Sequence, residues 1–272
     1  MQQNSGKVGV TFDLWETLIF DKPELDEARG RMRCEGIRDG LERLGISLAL
    51  DDVKLGYDES AKIFQTVWDQ NREVSTVEQI YAIVKLAGGQ VDNIPPSTDA
   101  IQALVNGYVE PILTLRPSLG DNVVNTLEDL RALGVKIGLI SNTGRAPGES
   151  LRRLLESYGV MKYFDVAVFS NEVGFRKPDL RIFKQATSEL GLNPGGVIHV
   201  GDNPDADFNG AKEAGMNAVL FEPELLGVSA WEPNSLFALS RRRTHSLEAI
   251  DPASRIRSLR DATYFVKELM SA

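Results

Sequence analysis

Residues 7–18 read KVGVTFDLWETL. Val8, Val10, Thr11 and Phe12 form a short β-branched and apolar run that ends on a carboxylate, Asp13. A run this short and this apolar reads as a buried strand with a polar group at its carboxyl end. The same layout recurs downstream. Apolar runs at 135–140, 166–169, 197–200 and 218–221 alternate with helical patterns at 122–133, 147–158, 180–190 and 206–214. Those helices stop at Gly134, Gly159, Gly191 and Gly215, where glycine accepts the left-handed backbone that ends a helix. Strands alternating with helices at this spacing predict an α/β fold: a doubly wound parallel sheet with helices on both faces.

Between the first strand and the rest the pattern is helical throughout. After Pro23, the residues Cys34, Ile37, Leu41 and Leu44 share one helix face, which Gly45 ends. Val53, Tyr57, Ala61, Phe64 and Trp68 repeat at helical spacing in a second segment. Ser75 with Glu78 forms a capping-box pattern that opens a third. Beyond Pro95 and Pro96, Ile101, Leu104, Val105 and Tyr108 mark a fourth. The expected organisation is an α/β core from residues 1–20 and 114–272, interrupted by an inserted α-helical domain at 21–113. Residues 223–254 have mixed composition and no assigned role. A last helix is expected at 257–270, beginning near Ser258.

The 272 residues carry a net charge of -9, which repels a polyanion and argues against a nucleic-acid partner. Arg241, Arg242 and Arg243 form one short basic run, read as a solvated loop. No apolar stretch nears the roughly 20 residues a membrane helix needs, and no secretory leader pattern opens the chain. Cys34 is the single cysteine, which excludes an intrachain disulfide. A cytoplasmic location is the expectation. With one cysteine and only His199 and His245, a zinc centre of the usual kind is not expected.

In an open parallel sheet, ligands sit beyond the carboxyl ends of the strands. The polar groups expected there are Asp13 to Thr17, Ser141 and Asn142, and Asp202 to Asp207, with Lys177 just before a helix. Clustered carboxylates without histidine suit a hard, oxygen-preferring cation such as Mg2+. A lysine beside them neutralises an anionic substrate, and a hydroxyl–amide pair donates to its oxygens. That set of groups describes phosphoryl transfer, in which a carboxylate can itself be the nucleophile.

These segments resemble the four motifs of the haloacid dehalogenase superfamily, in order: Val10 to Asp13 with Thr17 and Leu18; Leu139 to Asn142; Glu172 to Asp179; and Gly201-Asp202 with Asp207, Gly210 and Ala211. The resemblance covers roughly 7–20 and 114–221. It implies a Rossmann-like core and a small helical cap that closes over the site and sets substrate choice. By position it implies Asp13 as nucleophile and metal ligand, with the Trp15 main-chain carbonyl, Asp202 and Asp207 completing the Mg2+ site. Ser141 and Lys177 are implied as catalytic, and Thr17, Ser141, Asn142 and Lys177 as substrate-binding. Thr143 and Asn203 are read as loop and capping residues, and His199 as a structural histidine.

One departure stands out. Phosphatases of this superfamily usually place a general-acid aspartate two residues after the nucleophile, where this chain has Trp15. Indole has no exchangeable proton near neutral pH. The leading expectation is a magnesium-dependent phosphatase of a small phosphorylated metabolite, acting as a monomer or homodimer. Its acid would come from Glu16, Glu24, Asp26 or Glu27, or its leaving group would need none. Glu16 is otherwise a solvated turn residue. The alternatives are a dehalogenase-like enzyme acting on a halogenated substrate, or a weakly active, repurposed relative. The dehalogenases carry an aromatic residue at the position of Trp15 and a cap arginine, for which Arg29, Arg31 and Arg33 are placed. All three are otherwise read as helix-surface residues.

Overall fold

The computed structural model describes residues 8–223 and 250–272. The basic run at 241–243, His245 and most of the unassigned stretch therefore lie outside the described residues. The strands are β1 (Gly9–Phe12), β2 (Ile19–Phe20), β3 (Ser118–Leu119), β4 (Lys136–Ser141), β5 (Val166–Phe169), β6 (Val197–Gly201), β7 (Asn217–Phe221) and β8 (Arg255–Ile256). Six of them form one parallel sheet in the order β5-β4-β1-β6-β7-β8. This is the expected doubly wound, Rossmann-like arrangement, and its strand order reverses beside β1. Every residue of β1 is buried, because helices cover both faces.

The helices are α1 (Pro23–Arg43), α2 (Leu50–Trp68), α3 (Thr76–Leu86), α4 (Thr98–Val109), α5 (Pro111–Thr114), α6 (Val123–Ala132), α7 (Gly148–Ser157), α8 (Ser170–Val173), α9 (Leu180–Leu190), α10 (Gly210–Glu213) and α11 (Ala262–Ser271). Side chains alternate across the sheet as a period of two requires. In β6, Ile198 and Val200 join an apolar cluster with Val10, Phe12, Leu127 and Leu151. Val197 joins the opposite cluster with Ile140, Phe183 and Ala211.

Helices α1 to α4 occupy the stretch read as helical and enclose a separate apolar cluster that includes Cys34, Ile37, Leu41, Val53, Ile83 and Leu104. The Ser75 capping box is formed: Ser75 Oγ accepts from the Glu78 amide at 3.3 Å, and Glu78 accepts from the Ser75 amide at 2.8 Å. Helices α1 and α4 meet at two glycines. A Cβ on Gly36 would stand 2.7 Å from the carbonyl carbon of Gly107, so only hydrogen fits between these backbones. No helix among the described residues is long and apolar enough to cross a membrane.

Two short features escape pattern reading. The antiparallel pair β2–β3 is two residues a side, too short for any periodicity. The edge strand β8 at Arg255–Ile256 pairs with β7, and the expected last helix follows it, opening near Ser258 with a tight 3-10 turn at Leu259–Asp261 that leads into Ala262–Ser271.

Two outcomes follow from this packing. Gly36→Val should lower stability by about 2 kcal/mol, since overpacking a tight contact costs roughly 1–3 kcal/mol; an unchanged urea midpoint would contradict the close approach. Burial pushes the Cys34 thiol up to about 11, so it stays protonated at pH 8. Native protein should resist iodoacetamide at that pH, while urea-unfolded protein should react at its one thiol.

Candidate active site

Parallel pairing sets the site. Asp13 extends the β1 ladder by one residue, its amide donating to the Val200 carbonyl at 2.9 Å. The chain then turns sharply. Glu16 has a left-handed backbone (φ 58), its amide donates to Ile19 O at 2.7 Å, and Leu18 N donates to Leu14 O at 2.9 Å. Thr17 Oγ1 donates to Asp13 Oδ2 at 3.5 Å and steadies the carboxylate.

Lys177 Nζ reaches Asp13 Oδ1 at 2.5 Å, Asp207 Oδ1 at 2.6 Å and the Ile140 carbonyl at 2.8 Å. Its backbone is clamped by Asn142, whose Nδ2 donates to Lys177 O at 2.9 Å and whose Oδ1 accepts from Lys177 N at 2.8 Å. The Lys177–Pro178 peptide is cis. Asp207 sits on a widened helical turn, Pro204–Asn209, that precedes α10 where a plain helix was expected. There the Phe208 amide reaches back five residues to Asn203 O at 3.2 Å. Asn203 caps this turn, accepting from Asp205 N and Ala206 N at 2.9 and 3.0 Å, which agrees with its reading as a capping residue. Gly201 is required here, because a Cβ would stand 2.6 Å from Asp207 Cβ.

Asp13, Asp202 and Asp207 are all buried, and one carboxylate oxygen from each lies within 4.8 Å of the others. Burial raises Asp13, and Asp207 and Asp202 add to the push; the Lys177 charge opposes it, leaving the carboxyl at about 6. Burial also works against Asp207, but Lys177 and the His199 hydrogen bond outweigh it and hold this carboxyl well below its usual range. Asp13 and Asp207 together hold Lys177 charged against burial. His199, between Thr11 Oγ1 at 2.9 Å and Asp207 Oδ1 at 3.2 Å, is lowered by burial and stays neutral. The cluster therefore has three carboxylates and one cation. That surplus of buried oxygen charge is what a hard divalent cation would neutralise.

A cavity of about 1070 Å³ opens over this cluster. Asp13, Trp15, Asn142, Lys177, Asp202 and Asp207 line it, whereas Thr17 and Ser141 do not. Ser141 is fully buried and donates to Asn142 O at 3.4 Å. Thr143 is a buried loop residue whose amide donates to Ser170 Oγ at 2.8 Å.

Several expectations are corrected. Glu16 is not solvated: it is buried, and its Oε1 accepts from the Asp21 amide at 3.2 Å. It does not line the cavity, whereas Glu24, Asp26 and Glu27 do. Arg29 and Arg33 are not surface residues; α1 turns both inward, where they are buried. Arg29 pairs with Asp21 and donates to Leu115 O at 2.8 Å. Of these three, only Arg31 is exposed, paired with Glu27 at 2.6 Å.

Arg145 and Arg176 were missed by sequence reading, although both stand in strand-end loops already marked for chemistry. Arg176 pairs with Glu73, donates to Thr143 O at 2.5 Å and lies 4.3 Å from the Trp68 ring centre. Arg145 donates to Tyr108 Oη at 3.0 Å, Tyr57 O at 2.8 Å and Ser60 Oγ at 3.1 Å. Both arginines thus tie the core loops to the helical block.

The model of the haloacid dehalogenase-like hydrolases matches residues 8–215. Among curated proteins, a glyceraldehyde 3-phosphate phosphatase of Methanothermobacter thermautotrophicus is 41% identical over 38% of this chain and 45% of its own length. A phosphoserine phosphatase of Thermus thermophilus is 36% identical over 34% of this chain and 36% of its own. The chain thus spans less than half the length of these relatives. A solved HAD phosphatase from Thermococcus onnurineus overlays with a TM-score of 0.59 at 21% identity, covering 95% of this chain and 97% of that one. A 2-haloacid dehalogenase from Pseudomonas syringae overlays at 0.61 and 22%, covering 96% and 99%. These two likenesses establish a shared fold. With the matched model spanning most of the residues that build the sheet and the acidic cluster, the chain belongs to the haloacid dehalogenase-like hydrolases.

Proposed function

We propose that this protein is a magnesium-dependent phosphatase of small phosphorylated metabolites, with Asp13 as nucleophile. The observation that carries the reading is the buried cluster of Asp13, Asp202 and Asp207 around the single cation Lys177. The phosphatase names of relatives that match this chain in part add to it. Asp13, Asp202, Asp207 and the Trp15 carbonyl would hold the ion. When bound, it supplies positive charge that screens the carboxylates from an incoming phosphate and stabilises charge on the transferring group.

The chain's own residues do the rest. Lys177, held rigid by Asn142, takes a phosphate oxygen and offsets its charge. An Asp13 oxygen attacks phosphorus as the bond to the leaving oxygen breaks, and that oxygen departs with the electron pair. Water then attacks phosphorus of the aspartyl-phosphate, loses a proton, and releases phosphate and free Asp13. Thr17 steadies Asp13, and Ser141 supports the loop that carries Asn142. Residues 21–113 act as the cap over the core of 1–20 and 114–272, and exclude water from the cavity.

Trp15 lines the cavity where a proton donor would stand, so substrates with good leaving groups are favoured. Trp15 also keeps a second reading in view, in which the Asp13 ester forms by displacing halide. The presence of Asp202 in the acidic cluster speaks for the phosphatase.

An aryl phosphate should be hydrolysed with Mg2+ and lose essentially all turnover in EDTA; turnover that persists in EDTA would contradict the metal assignment. Asp13→Asn should lower kcat at least about a thousandfold, and a smaller loss would remove it as nucleophile. Trp15→Asp should raise turnover of an alkyl phosphate, since a general acid contributes roughly 10²–10⁴; no gain in a folded variant would place the acid elsewhere. Chloride release from 2-chloropropionate without phosphate-ester turnover would favour the halide reading.

A further inference from the structure

Among the described residues, every buried arginine and lysine lines the one cavity over Asp13: Arg29, Arg33, Arg145, Arg176 and Lys177. A buried cation is costly unless an anion answers it. Three of the five are answered, Arg29 by Asp21, Arg176 by Glu73, and Lys177 by Asp13 and Asp207. Arg33 and Arg145 have no carboxylate within salt-bridge reach among the described residues, yet they are only 3% and 7% exposed.

These two guanidinium groups share one scaffold. Tyr57 gives its hydroxyl to Arg33, which donates from Nη1 at 3.2 Å, and its ring face to Arg145, whose guanidinium carbon stands 3.7 Å from the ring centre. Tyr108 does the reverse, with its hydroxyl accepting from Arg145 at 3.0 Å and its ring 5.8 Å from the Arg33 guanidinium carbon. Arg33 Nε is buried and has no partner at all. Arg33 comes from α1 in the helical block and Arg145 from the loop after β4, so the pair straddles the seam between block and core. Two like charges fixed on two tyrosines, with donors left over, are arranged for an anion supplied by a ligand. Asp26 and Asp58 also line the cavity. A singly charged carboxylate meets less repulsion from them than a second phosphate would.

We propose that Arg33 and Arg145 form an anion subsite for a substrate carboxylate, so that the preferred substrates are small phosphomonoesters bearing a carboxylate. This rests on the phosphatase reading above and adds the substrate class.

The test compares 3-phosphoglycerate with glycerol 3-phosphate, which differ only in a carboxylate for a hydroxymethyl group, alongside an aryl phosphate. The wild-type kcat/KM should be at least about tenfold higher for the carboxylated ester, mainly through KM, because a charge-assisted hydrogen bond is worth that much or more. Arg33→Met should bring the ratio of the two kcat/KM values toward one, and Arg33→Lys should restore part of it. Should the methionine variant not fold, competition in the wild type decides: glycerate should inhibit competitively at concentrations where glycerol does not. Equal use of both esters, or equal effects of glycerate and glycerol, would overturn the subsite while leaving the phosphatase intact. Failure to hydrolyse any ester, the aryl phosphate included, would overturn the phosphatase reading beneath it.

Discussion

The structure depends on one buried charge imbalance: Lys177 is shared between Asp13 and Asp207, with Asp202 beside them. Removing one partner from such a cluster typically costs about 3–5 kcal/mol, because the other is left buried and unanswered. Much of the surrounding architecture keeps this cluster in register. The β1–β6 pairing brings Asp13 next to the loop of Asp202 and Asp207. Asn142 spends both ends of its amide on the Lys177 backbone. Gly201 leaves room for Asp207, whose Oδ1 is shared by Lys177 and His199 and whose Oδ2 accepts from the Asn203 amide. The surplus negative charge falls on Asp13, and this imbalance is what a bound cation would relieve in the proposed reading.

A second set of buried charges joins the helical block to this core. Glu73 accepts from both Ser170 and Arg176, and Gln79 bridges Tyr108 and the Gly144 carbonyl. Arg145 reaches from the loop after β4 into α2 and α4. These contacts concentrate on the loops that also carry Asn142 and Lys177. Docking of the helical block and positioning of the lysine therefore share one polar seam.

Much of this was legible in the sequence because the governing patterns are local. Apolar runs ending in Asp13, Ser141 and Gly201 give buried strands whose carboxyl ends must hold polar groups, and glycines at 134, 159, 191 and 215 end the helices between them. The Ser75–Glu78 box is a contact between residues three apart and was readable for the same reason. What escaped depends on contacts distant in sequence or on very short elements. The face of α1 that turns inward is set by Asp21 and Leu115, so the burial of Arg29 could not be read from helix periodicity. Arg145 and Arg176 are charged residues in loops, which ordinarily face water, and only the tyrosines and Glu73 of the distant helical block make them interior. The β2–β3 pair and β8 are two residues long and leave no period to detect.

Mass spectrometry of the Asp13 peptide, taken from acid-quenched single turnovers of an aryl phosphate with Mg2+, tests Asp13 as the nucleophile directly. A phosphoryl group should appear on Asp13 before free phosphate accumulates and then decay. Release of phosphate with Asp13 unmodified at every time point would contradict it.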